Sequence, residues 1–186
     1  SFTNGSGANK PLNDNSRFAY YGRIEASYGS MVTFGAAGFF NEATSGSPPD
    51  DVRQNMMGYA GDLRIDVANV LFAAEFTEVI NSYPDVPNEP EGKSRGYFAS
   101  IGYKAPMGFI PAYRFAFYDP TAEFTAEDTS LSAQLKIDEL THHTIGLSWL
   151  SSEMPLKIQL NYTLAMENEA RSIANNRLDA AMILGF

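Results

Sequence analysis

Apolar and polar residues alternate with period two along almost the whole chain, the pattern of strands whose two faces meet different surroundings. Nine segments follow from it. In 17–29, Phe18, Tyr20, Ile24 and Tyr28 oppose Arg17, Tyr21, Arg23 and Glu25, and Gly29-Ser30 turns the chain into 31–41, where Val32, Phe34 and Phe40 share a side. Segment 57–67 sets Tyr59, Leu63 and Ile65 against Asp62, Arg64 and Asp66, and 70–80 sets Phe72 and Phe76 against Glu75. Segments 95–104 and 109–118 present Tyr97, Ile101, Tyr113 and Phe115 opposite Lys104, Arg114 and Tyr118. The last three, 141–150, 156–167 and 177–186, are the cleanest, with Lys157, Arg177 and Asp179 on their polar sides. Residues 130–137 (SLSAQLKI) also alternate and are assigned to structure inside the longest link.

A β-sandwich alternates too, because one face of each sheet meets a core. Three features favour a transmembrane antiparallel up-and-down β-barrel instead. The segments exceed the usual strand length of about five to six residues and match a tilted membrane crossing. Aromatics gather near segment ends on the apolar side, where interfacial girdles sit, and charges occupy mid-strand positions on the other side. The connections also alternate: brief at 29–30, 68–69, 105–108 and 151–155, long and polar at 42–56, 81–94, 119–140 and 168–176. Barrels have short turns at one rim and long loops at the other.

Composition narrows the chemistry. The chain of 186 residues has no cysteine, which removes disulfides, thiolate metal sites and cysteine nucleophiles. Its 22 acidic and 13 basic residues give a net charge of -9, against a nucleic-acid surface. Mean hydropathy is -0.22 despite 13% aromatics, and the interleaving accounts for both. No metal or cofactor is expected: Asp50-Asp51 and Glu127-Asp128 lack calcium-loop spacing, and Gly5-Ser6-Gly7 with Lys10 lacks phosphate-loop spacing. His142 and His143 are the two imidazoles; His142 has Ser130 and Ser132 within sequence reach, but nothing in the sequence builds a catalytic geometry, and no enzyme activity is expected.

The C-terminal Phe186 preceded by Leu178, Ala180, Met182 and Leu184 resembles the terminal signature of bacterial outer-membrane proteins. TIGLSWLSSEMPLKIQLNYTL with NRLDAAMILGF, and the opening TNGSGANKPLNDNSRFAYYGRIEASYG, resemble the phosphate-selective porin O and P family over about a third of the chain. The resemblance implies a trimeric barrel of about 16 strands in a Gram-negative outer membrane. Nine strands place the N-terminus outside by parity, so 1–16 reads as an external loop and 1–186 as the C-terminal portion of a barrel completed by upstream strands.

On this reading the polar faces line a pore: Arg17, Tyr21, Arg23, Glu25, Asp62, Arg64, Asp66, Glu75, Lys104, Arg114, Tyr118, Lys157, Arg177 and Asp179. That lining is close to neutral, so the acidic excess falls in the links and predicts mild cation preference at the mouth. The expected function is passive diffusion of ions or small hydrophilic solutes. The alternative is a non-conducting outer-membrane barrel serving as anchor, receptor or scaffold. Expected partners are outer-membrane lipid, permeating solutes, two further copies in a homotrimer and the upstream strands, with no nucleic acid.

Overall fold

Two tight turns show how local chemistry sets the hairpins. Ala68 and Asn69 both adopt positive φ, 49° and 70°, the backbone of a two-residue type I′ turn whose twist suits the flanking strands. Gly29 (φ 56°) serves the preceding hairpin without the steric penalty a Cβ brings there. A computed structural model describes residues 2–3, 18–45, 52–86, 91–123, 138–152, 155–168 and 175–184.

The strands are β1 (Phe2–Thr3), β2 (Ala19–Tyr28), β3 (Val32–Ser45), β4 (Val52–Val67), β5 (Val70–Ser82), β6 (Gly92–Tyr103), β7 (Phe109–Asp119), β8 (Glu139–Leu150), β9 (Leu156–Asn168) and β10 (Arg177–Leu184). Each pairs antiparallel with its sequence neighbours, in the spatial order β1 to β10. Phe2 and Thr3 pair with Tyr20 and Ala19. Several strands run further toward the long links than alternation predicts. In β3 and β4 the ladder continues through Glu42↔Asn55, Ala43↔Gln54 and Thr44↔Arg53, so much of the 42–56 link is strand. Backbone pairing needs no apolar face, and hydropathy therefore misplaced those ends.

The sheet does not close. β1 and β10 lie at opposite edges and are not paired with each other, and the sheet is not strongly curled. The lack of strong curling overturns the expected barrel wall, which should curl even as part of a larger barrel. The described residues form neither a closed channel for passive diffusion nor a barrel to act as membrane anchor, receptor or scaffold. The porin, transport and outer-membrane assignments fall with it, as do lipid, permeant solutes, a porin-type homotrimer and upstream barrel strands as partners. Among the described residues no helix is long and apolar enough to cross a membrane. The external loop expected at 1–16, apart from Phe2 and Thr3, the segment 130–137 and Phe186 lie outside the described residues.

The open architecture leaves little core. Ala19 is the sole hydrophobic residue among those described that is fully buried. The strands bury backbone in the ladder but leave both sheet faces open.

Candidate functional site

Cross-strand register arranges the polar-face residues in rows across the sheet. Glu25, Gly35, Asp62, Glu75 and Phe98 form one row. Two residues along each strand, the next row reads Arg64, Ala73, Ser100, Arg114, Thr144, Thr163 and Arg177. Asp66 lies in the row beyond, with Asn161 and Asp179 at its far end. The three arginines of the central row stand three strands apart, roughly 14 Å. A count of charges along the sequence hides this order, because it gives no register.

The polar face divides into two electrostatic halves. On β2–β5, Arg23 and Arg64 face Glu25, Asp62, Asp66 and Glu75. Arg23 Nη1 lies 2.8 Å from Asp62 Oδ2, and its Nη2 is 3.1 Å from Glu25 Oε2. That guanidinium holds the Asp62 carboxyl below the usual range, against the opposing effect of burial. Lys104, just past β6, closes on Asp66 at 2.6 Å. Glu75 accepts a long hydrogen bond from Thr77 Oγ1, 3.4 Å. On β7–β10 the cations Arg114, Lys157 and Arg177 outnumber Asp179 and Glu167. Arg64, Arg114 and Lys157 make no ion pair among the described residues.

Four hollows open on this face among the described residues, and two of them contrast in chemistry. One, of about 420 Å³, has a floor of Ala37, Gly58 and Ala60 beside the stacked rings of Tyr21 and Phe39, 6.0 Å apart. Arg23 borders it, with its charge already taken by two carboxylates. The other, of about 310 Å³, is lined by Arg114, Arg177, Asp179, Thr144, Thr163 and Asn161, with Ala112 and Gly146 among its lining residues. Its groups are polar and mostly bonded to one another, with Arg114 free of any ion pair among the described residues. Arg114 lies over the Phe98 ring, 4.1 Å from the centroid, which orients the guanidinium without neutralising it. Thr144 and Thr163 share a 2.9 Å hydroxyl contact between the two arginines. Arg177 donates from Nε to Asp179 Oδ2 at 2.7 Å, leaving its terminal nitrogens available. Gly146 leaves room for the Asn161 amide, which a Cβ there would strike.

The residues expected to line a pore thus separate. Arg23, Glu25, Asp62, Asp66 and Lys104 form ion pairs; Tyr21 stacks on Phe39; Tyr118 lines a different depression; Arg114, Arg177 and Asp179 converge. Arg17 lies outside the described residues. Sequence reasoning missed Phe98, Thr144 and Thr163, whose signal was their place in the same period-two set as Arg114. It also missed a polar cluster on the otherwise apolar face. Buried Glu78 accepts from Tyr59 Oη at 2.5 Å and from Arg95 Nε at 2.8 Å. Those two donors hold Glu78 below the usual carboxylate range, and the bond to the Glu78 carboxylate raises Tyr59 in turn. His143 meets Tyr113 Oη through Nδ1 at 2.7 Å, and no group of three or more potential metal ligands occurs among the described residues.

No family model matches the chain, and neither the curated proteins nor the solved structures yield a match. The resemblance to phosphate-selective porins is therefore corrected: no homologue supports it, and the open sheet speaks against a porin.

Proposed function

We propose that the β7–β10 half of the polar face binds a small polar molecule carrying an oxyanion, a carboxylate, phosphate or sulfate, and that its role is recognition rather than catalysis. The observation that carries this reading is Arg114, a guanidinium with no carboxylate partner among the described residues, which lines a 310 Å³ hollow together with Arg177 and two threonine hydroxyls. Guanidinium groups bind oxyanions through paired donors, and hydroxyls complete the shell. A volume of this size sits at the low end for small-molecule sites, so the occupant is a few atoms larger than the anion itself. The local excess of cations draws such a ligand despite the chain's net charge of -9.

Calorimetric titration with inorganic phosphate and with glucose 6-phosphate tests the proposal. Expected is saturable one-to-one binding, weakened about 10-fold or more by Arg114→Gln and by Arg177→Gln. Arg64→Gln, in the same row but outside the hollow, leaves affinity nearly unchanged. Absent saturation, or equal loss in all three variants, overturns it.

A further inference from the structure

The second face of the sheet carries a different implication. Register puts Ile24, Phe34, Ile101, Ile145, Leu160 and Met182 on it, from β2 to β10. They are between 48% and 78% exposed. Between the short-turn end and the middle of the strands this face has no Asp, Glu, Lys or Arg among the described residues. Charges enter only at the long-link end, where Glu78 and Arg95 pair with each other at 2.8 Å and Arg53 pairs with Asp85 at 2.5 Å. An uncharged field with a polar rim is the anatomy of an interface.

Area argues for the occupant. Nine strands at about 4.8 Å spacing, each with about eight residues in the uncharged field, outline about 1,100 Å². Two copies together remove about 2,200 Å², the range of obligate homodimers, about 2,000–5,000 Å². Because the sheet is not strongly curled, two such faces can stack about 10 Å apart as the sheets of a sandwich do. A twofold pairing presents each copy with a patch of its own dimensions.

We propose that this face is covered by the same face of a second copy, forming a two-sheet sandwich with the polar faces outward. The apolar residues then occupy a shared core that neither copy has alone. This pairing does not depend on what the polar face binds.

Sedimentation velocity in detergent-free buffer, combined with thiol labelling, tests it. The chain has no cysteine, so single replacements report cleanly. Ala99 belongs to the apolar face and Ser100 to the opposite one. Expected is a mass twice 20.4 kDa, with maleimide reaction about 10-fold slower for Ala99→Cys than for Ser100→Cys. A monomeric mass overturns the proposal, as do polydisperse larger assemblies. A dimer whose two thiols react alike also overturns it and points to pairing at the sheet edges. Protection of Ala99→Cys only when dodecyl maltoside or phosphatidylcholine vesicles are added overturns it in favour of an amphiphile.

Discussion

Arg23 and Asp62 sit on strands that are not neighbours, yet their side chains meet at 2.8 Å across the intervening β3. Gly35, directly opposite both Glu25 and Asp62, makes this possible, because a Cβ there would collide with Arg23 and Asp62 together. A glycine inside a strand ordinarily weakens it; here it opens the passage for an ion pair that ties β2 to β4.

Gly35→Ala therefore displaces the pair. The atoms a Cβ would meet are the ends of two flexible side chains that swing aside, so a melting temperature lower by about 2 °C is expected, from loss of the pair rather than from overpacking. In the Gly35→Ala background, Asp62→Asn has little further effect, whereas in the parent chain it is destabilising. A thermal double-mutant cycle followed by circular dichroism reads the coupling.

Acid sensitivity follows from three carboxylates. Asp62, Glu78 and Asp85 are each held below their ordinary range, chiefly by hydrogen bonds from Arg23, from Tyr59 with Arg95, and from Arg53. A group with a depressed folded pKa contributes stability that is present above its unfolded pKa and lost as pH falls through the folded one. Melting temperature should stay level from neutral pH to about 5, then fall below about 4. Glu78→Gln should start lower at neutral pH and decline less steeply. Asp119, raised by its burial, has the opposite sign: its contribution weakens as pH rises through its folded value.

The β4–β5 turn is suboptimal in side-chain chemistry. Ala68 at φ 49° has a Cβ that the left-handed region disfavours. Replacing the pair by Asn-Gly, through Ala68→Asn with Asn69→Gly, should stabilise the chain by about 1 kcal/mol. Urea unfolding with an unchanged m-value checks this; an unchanged midpoint would show that the turn is not under strain.

The threonines between Arg114 and Arg177 provide a test of the ligand site separate from charge. Thr144→Val removes one hydroxyl of the 2.9 Å pair while keeping its shape. Phosphate affinity should fall about 5- to 10-fold. Ser27→Ala, which removes a comparable hydroxyl contact with Thr33 at 3.1 Å far from the hollow, should leave it intact.

Much of the strand content was legible because alternation is local. Leu156 to Met166 and Leu178 to Leu184 read as strands from hydropathy, and both form. The sidedness of Arg114, Lys157 and Asp179 was legible for the same reason. The ends of β3 and β4 were not, because Glu42, Ala43, Gln54 and Arg53 pair through backbone groups that carry no hydropathy signal. Likewise the hollow between Arg114 and Arg177 escaped notice, since 63 positions separate residues that register places three strands apart.

What the sequence determined by itself is which side chains share a face. Successive residues of an extended chain point in opposite directions whatever the strand pairs with. The tertiary structure alone decided how those faces are used. Register sorted the charges into rows, Gly35 let Arg23 reach Asp62, and the lack of strong curling left an open sheet where part of a barrel wall was expected. Curvature depends on how all the strands stagger and coil against one another, and no local pattern of apolar and polar residues encodes it.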